Sequence, residues 1–341
     1  MAPPSAPDLD WPRLDAWLER NAAGFHGLRA ARRLVGGNSN PIWRLDADSG
    51  AYVLRAQPPG ELLSSAHALD REFRVLDALR ASPAPAPRVR AFCADLSVIG
   101  VQFYLMDFVD GRVFRNPKLE DAPREKRRAV FDAALDMLAT IHCIDVAAVG
   151  LSDFGRPGHY YQRQLHRWSQ QIARALPEGD ATLDALLAAL RAAMPQTDRA
   201  ATLLHGDSRF DNLMFDARGE RIVAVLDWEL STLGDPLADL GQFLAVQELP
   251  SDYLLPGLGG LDRAAHGVPT QEEQAARYFA QSGQPAADMR FYMAFAMFRQ
   301  AAMSAGLKRR ALLGTALTEE AFAFGETLSV FAELGLRMLG R

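Results

Sequence analysis

Leu203-Leu204-His205-Gly206-Asp207-Ser208-Arg209-Phe210-Asp211-Asn212-Leu213-Met214-Phe215-Asp216 leads through a glycine-containing turn into Ile222-Val223-Ala224-Val225-Leu226-Asp227-Trp228-Glu229. The stretch closes with Gly234-Asp235-Pro236-Leu237-Ala238-Asp239-Leu240. Two apolar runs, 213–215 and 222–226, flank Asp216-Ala217-Arg218-Gly219, a pattern that reads as a hairpin. A polar loop, 205–212, stands before it and Asp227 stands at its end. Such a hairpin is expected to bring Asp207, Asn212 and Asp227 to one edge. A carboxylate, a carboxamide five residues on and a second carboxylate after a strand can hold Mg²⁺ and orient a hydroxyl toward a γ-phosphate. Hard oxygen ligands in small number suit Mg²⁺. The alternative is a polar turn whose acids cap backbone amides.

Outward from this stretch, the chain is long enough to bury a large core. It has 341 residues, 49% of them hydrophobic, and this length implies two domains or lobes. A net charge of −5 and a pI near 5.8 speak against nucleic-acid binding as the main role. Cys93 and Cys143 lie far apart and match no disulfide framework or zinc spacing, as expected in a reducing cytoplasm. The first ten residues lack the basic and apolar regions of a signal peptide, and no apolar run reaches the ~18 residues of a membrane span. A cytoplasmic protein without membrane or nucleic-acid partners is the expectation.

Upstream, Trp11 to Asn21 reads as an amphipathic helix opened by Asp10-Trp11-Pro12. Strand residues flank Gly36-Gly37-Asn38-Ser39-Asn40, whose glycines let backbone amides approach phosphates and whose Asn and Ser add donors. An ordinary hairpin turn has the same composition. A strand ending in Arg55 follows, then a helix containing Arg71-Glu72. Glycine loop, strand with a cation, helix with a glutamate is the order of a kinase small lobe. Arg can grip phosphate oxygens with two N–H groups, and Glu72 would hold it in place; a surface Arg–Glu pair is the alternative. Residues 81–87 form an extended Pro/Ala linker, and 89–93 and 98–109 read as strands. Beyond Ala122 the chain is mostly helical: 124–142, 160–176 and 181–193 come before the central stretch, and 271–282, 288–306 and 318–339 after it. Asp153-Phe154-Gly155 precedes the central loop and is not read as a metal motif. His142 and His205 read as packing or loop-supporting residues, and Asp235 and Asp239 as caps of turns and helices.

His-Gly-Asp-x-x-x-x-Asn, Leu-Asp-Trp-Glu and Gly-Asp-Pro-x-x-Asp-Leu together resemble the aminoglycoside phosphotransferase family. Within it, Val53-Leu54-Arg55-Ala56-Gln57-Pro58-Pro59-Gly60, Ala66-His67-Ala68-Leu69-Asp70-Arg71-Glu72 and Phe291 to Arg299 resemble the branch related to the kinase-like domain of the larger acyl-CoA dehydrogenases. That branch has Arg where the wider family has Lys. The resemblance covers residues 34–314 and implies an α+β, protein-kinase-like fold. Its small, mostly antiparallel β lobe would span 1–109 and its larger helical lobe 110–341. It further implies ATP- and Mg²⁺-dependent phosphorylation of a small-molecule hydroxyl. In that reading Asp207 is the acceptor-orienting base, with Arg209 beside the transferring phosphate or pointing outward as a loop charge. Asn212 and Asp227 are metal ligands. Gly37, Asn38, Ser39 and Asn40 cover the phosphates, which Arg55 holds with the support of Glu72. Backbone groups near Asp107 to Val109 meet the adenine.

The acceptor is open. From Asp288 to Arg341 seven Arg/Lys stand against five Asp/Glu, with Lys308, Arg309 and Arg310 adjacent. This leans toward an anionic acceptor such as a hydroxy acid or hydroxyacyl-CoA, as the branch does, although charge runs are often solvated helix ends. An aminoglycoside or amino-alcohol kinase and a nucleotide-binding pseudokinase without turnover are the alternatives. No flavin fingerprint supports dehydrogenase chemistry.

Overall fold

Strand alternation decides which way Arg55 faces. In the computed structural model, which describes residues 9–34, 40–58, 69–156, 158–312 and 327–341, β3 (Gly50–Ala56) lies in a five-stranded antiparallel sheet. Its other strands are β1 (Leu28–Arg33), β2 (Ile42–Ala47), β4 (Val89–Cys93) and β5 (Phe103–Asp107), in the order β1-β2-β3-β5-β4. Successive strand side chains point to opposite faces. Tyr52, Leu54 and Ala56 join a core with Trp43, Leu45, Phe103 and the buried face of α1 (Trp11–Asn21). Val53 and Arg55 therefore take the other face, where Arg55 pairs in register with Tyr104. Helix α2 (Leu69–Leu79) packs on β4 and β5. Its buried residues Glu72, Val75, Leu76 and Leu79 keep the spacing of one helical face, so a carboxylate sits on an apolar stripe. Such a charge requires a partner.

These elements belong to a compact unit formed by Met1–Asp110 together with Val223–Glu229. The second stretch contains most of β9 (Ile222–Val225), and the Val225 N–H donates to the Pro85 carbonyl at 2.8 Å.

The other unit comprises Gly111–Ile222 and Leu230–Arg341. It holds the short strands β6 (Arg112–Val113), β7 (Thr202–Leu204), β8 (Leu213–Phe215) and β10 (Thr232–Gly234), with β6 pairing β8 and β7 pairing β10 antiparallel. Its helices are α3 (Arg124–His142), α4 (Tyr160–Ala175), α5 (Ala181–Ala193), α6 (Leu237–Ala245), α7 (Arg263–His266), α8 (Gln271–Ser282), α9 (Arg290–Leu312) and α10 (Leu328–Met338). From Phe291 to Ala302 every residue of α9 is buried, because α4, α5, α6 and α10 all pack on it. At Gly241 of α6 an added Cβ would meet the Tyr292 carbonyl at 2.6 Å, so glycine sets how closely these two helices approach. No described helix is long and apolar enough to cross a membrane.

Several elements differ from the sequence reading. The strand expected over 98–109 begins only at Phe103; Asp95 to Gly100 is a turn in which the Asp95 carboxylate accepts the Ser97 N–H. Strand β1 was not foreseen, since only Ala31 of its six residues is buried. Helix α9 runs to Leu312 rather than 306. The start of the expected 318–339 helix and the turn 35–39 lie outside the described residues.

Candidate functional site

The loop from His205 to Asn212 is held by one carboxylate. Asp239, fully buried on α6, accepts the His205 N–H at 2.7 Å and the Gly206 N–H at 3.0 Å. The carbonyl of the same residue accepts from the Ser208 hydroxyl at 2.6 Å. His142 Nε2 lies 3.3 Å from the Asp239 carboxylate, and its Nδ1 is hydrogen-bonded to the Tyr278 hydroxyl at 2.6 Å. Burial pushes the Asp239 carboxyl up, but His142, the charge of His205 and the Gly206 N–H more than reverse this, so it lies below its ordinary range. Arg299 of α9 donates to the Gly206 carbonyl from the buried side. Gly206 has φ +86°, and a Cβ there would meet the Leu230 carbonyl at 2.2 Å, which leaves no residue but glycine at the turn.

On this support the functional side chains are fixed by short-range bonds. The Asp207 N–H donates to His205 Nδ1 at 3.2 Å, the loop-supporting role expected of His205. Asn212 Nδ2 donates to the Asp207 carbonyl at 2.8 Å and to its Oδ2 at 3.2 Å. The carboxamide nitrogen is thereby occupied, and Oδ1 is the atom Asn212 can offer a metal. Arg209 lies between two acids, 3.3 Å from Asp207 and 3.0 Å from Asp211, rather than pointing outward.

A second constellation surrounds Arg55. Its Nε stands 2.9 Å from Glu72, a contact of charges without hydrogen-bond geometry. One terminal nitrogen donates to both Asp227 at 2.8 Å and Glu229 at 2.9 Å. Asn40 adds an amide donor 3.4 Å from Glu229. One guanidinium thus serves three carboxylates. Burial draws the Arg55 pKa down, but the acids outweigh it and hold it well above its ordinary value. Glu72 is 2% exposed; burial pushes it up, Arg55 draws it down and the acids at 227 and 229 push it up again, to about 7. Asp227 itself has φ +62°, a left-handed conformation uncommon for a residue other than glycine. The buried Trp228 beside it, with its indole N–H on the Val225 carbonyl, anchors this conformation. Burying such a ring contributes roughly 2–3 kcal/mol. Strain held in place by packing marks functional positions.

The remaining expected residues divide. Gly37, Asn38 and Ser39 lie outside the described residues. Asn40 is buried, and its Oδ1 has no hydrogen-bond partner. Asp107 pairs through two oxygens with Arg90 at 2.6 and 2.9 Å, and its N–H is taken by the Arg88 carbonyl. The Phe108 N–H is taken by Ala51. The Val109 N–H makes no hydrogen bond among the described residues, so it is the donor in this segment that can meet a ligand.

Sequence reasoning passed over Glu229 and Arg299 and gave Asp239 a lesser role. Asp235 does cap α6, accepting the Leu237 N–H at 2.9 Å. Asp239 instead carries the loop. The signal was the second acid of Gly-Asp-Pro-x-x-Asp-Leu, an acid inside an otherwise apolar helix. Of the cationic residues from Asp288 onward, Arg290 pairs with Asp288 and Arg299 is a buried brace.

Taken each by itself, Asp227 in the first unit and Asn212 in the second are of the chemistry that suits Mg²⁺. Asp227 and Asn212 offer hard oxygens, and the acids around Arg55 exceed its single charge.

The profile of the phosphotransferase enzyme family matches residues 30–295. Acyl-CoA dehydrogenase family member 10 of Mus musculus is 39% identical over 300 residues, covering 87% of this chain and 28% of that protein. Acyl-CoA dehydrogenase family member 11 of Homo sapiens is 34% identical over 339 residues, covering 98% and 43%. The chain therefore spans less than half the length of these curated relatives. A crystal structure from Ralstonia eutropha JMP134, provisionally described as an aminoglycoside phosphotransferase, superposes with a TM-score of 0.86 at 37% identity over 97% of this chain and 98% of that one. A thermostable mutant of aminoglycoside phosphotransferase APH(4)-Ia, in a ternary complex with ADP and hygromycin B, gives 0.63 at 16% identity, covering 95% and 97%. At that identity the likeness shows the fold alone, which is the α+β protein-kinase-like fold expected.

Proposed function

Since this chain belongs to the phosphotransferase enzyme family, on the branch shared with acyl-CoA dehydrogenase family members 10 and 11, we propose that it transfers the γ-phosphoryl group of ATP to a hydroxyl of a small molecule, with Mg²⁺. The observation that carries this reading is the Asp207–Asn212 pair, bonded to each other in a loop suspended from Asp239. Asp207 accepts the acceptor's hydroxyl proton and orients its oxygen. Arg209, beside Asp207, offsets charge on the transferring phosphoryl group. Arg55, positioned by Glu72, holds nucleotide phosphates, and the Val109 N–H meets the base. Asn212 and Asp227 hold the metal, and charge neutralisation at the phosphates is the chemistry that bound Mg²⁺ supplies. Catalysis on this account is positioning plus electrostatics.

The acceptor we favour is anionic, a hydroxy acid or hydroxyacyl-CoA. An ATP-consumption screen over hydroxy acids, hydroxyacyl-CoAs, aminoglycosides and amino alcohols tests both levels. The expected result is acceptor-dependent ADP release with an anionic compound. Release only with a polycation overturns the acceptor class, and Mg-ATP binding with no turnover on any class would favour a pseudokinase.

A further inference from the structure

The second unit contains a pocket whose wall includes Arg209, Phe210 and Asp211 of the loop just described. It opens to solvent, and its space together with that open mouth comes to about 550 Å³. Phe243, Leu249 and Phe331 make its lining mainly apolar. Two polar groups in it are uncommitted. Gln300 is 3% exposed, lines the pocket, and makes no hydrogen bond among the described residues. Its amide atoms are not among the buried side-chain atoms left without a partner, so they face the open pocket, where a ligand could replace solvent as their partner. Arg115 is exposed at the rim and has no ion pair among the described residues, whereas Arg209 is already flanked by Asp207 and Asp211.

We infer that this pocket is the acceptor subsite, and that Gln300 and Arg115 are its specificity-determining residues, reading an aliphatic acceptor with one hydrogen-bonding group along its length and an anionic group at the rim. The inference rests on the phosphotransferase reading and deepens it by placing the acceptor. The chemistry is complementary at each point. The aromatic and aliphatic walls take a hydrocarbon segment, the Gln300 amide can both donate and accept, and the free guanidinium takes a carboxylate or phosphate in bidentate fashion. A polycation would face Arg115 with like charge. The arginine that recognises the anion on this account lies near the start of the unit, not in the basic run at 308–310.

Calorimetry with 3-hydroxyoctanoate and its methyl ester, without turnover, tests this on the intact chain. Wild type should bind the acid more tightly than the ester. Arg115→Ala should weaken the acid roughly fivefold and leave the ester unchanged, as expected for one exposed charge contact. Gln300→Leu should weaken both, while both variants retain Mg-ATP affinity. Equal affinity of wild type for acid and ester, or unchanged acid binding in Arg115→Ala, overturns the inference, as does failure of wild type to bind either compound while still binding Mg-ATP. Loss of Mg-ATP binding by wild type would instead remove the phosphotransferase reading beneath it.

Discussion

The two constellations are built on opposite principles. The loop at 205–212 hangs by backbone N–H groups from a single fully buried carboxylate, so its geometry is set by short, directional bonds that have no ready alternative partners. The cluster around Arg55 is held between side chains, one guanidinium shared among Glu72, Asp227 and Glu229 through ion pairs and, to the last two, hydrogen bonds. A rigid support suits a base that must stay aligned with a hydroxyl. An over-subscribed cation suits a place where a metal and phosphates must be admitted, because the acids already carry more negative charge than Arg55 offsets.

The largest effect that sharpens this contrast is Asp207→Asn. The change keeps the shape but removes the proton acceptor, so turnover of an identified acceptor should fall by about 10²- to 10⁴-fold. Steady-state kinetics at saturating Mg-ATP measures it, and near-wild-type turnover in a folded variant would take Asp207 out of its role.

Asp239→Asn attacks the rigid side. Only one oxygen remains to accept, and the new amide N–H faces a backbone donor or His142 where an acceptor stood. Unfolding free energy should drop by roughly 3 kcal/mol, read by urea denaturation. A loss well below 1 kcal/mol would mean that the loop is held by something other than this carboxylate.

On the adjustable side, Glu72 gives a pH dependence with a definite sign. Its carboxyl is raised from 4.5 to about 7 in the folded chain. The native state therefore holds a proton that the unfolded state has released between those values. Glu72's contribution to stability is full below about 4.5 and is lost as pH rises through 7, on the order of 3 kcal/mol in all. Glu72→Gln should flatten that part of the stability–pH curve. A curve identical to wild type would show that Glu72 is ionised throughout.

Much of this was legible beforehand, for a physical reason. The loop motif is contiguous, so Asp207 and Asn212 could be paired by spacing alone. Arg55 and Glu72 could be joined because a strand and a helix each carried one charge among apolar neighbours. Glu229 was less visible: its contact with Arg55 links positions far apart in sequence. Arg299 looked like any charge on a helix, because no periodicity shows that α9 is buried on all sides. Strand β1 had almost no buried side chains to announce it. The pocket beside the loop draws on residues from 115 to 331, which no local pattern connects.

The division of labour between the two constellations is tested most directly by Mg-ATP calorimetry on Asp207→Asn and Asp227→Ala side by side. The account predicts wild-type affinity for Asp207→Asn and a loss of roughly tenfold or more for Asp227→Ala, the scale expected when a metal ligand or its support is removed. With EDTA in place of Mg²⁺ the difference between Asp227→Ala and wild type should vanish. A folded Asp227→Ala variant that binds Mg-ATP as tightly as wild type would contradict it.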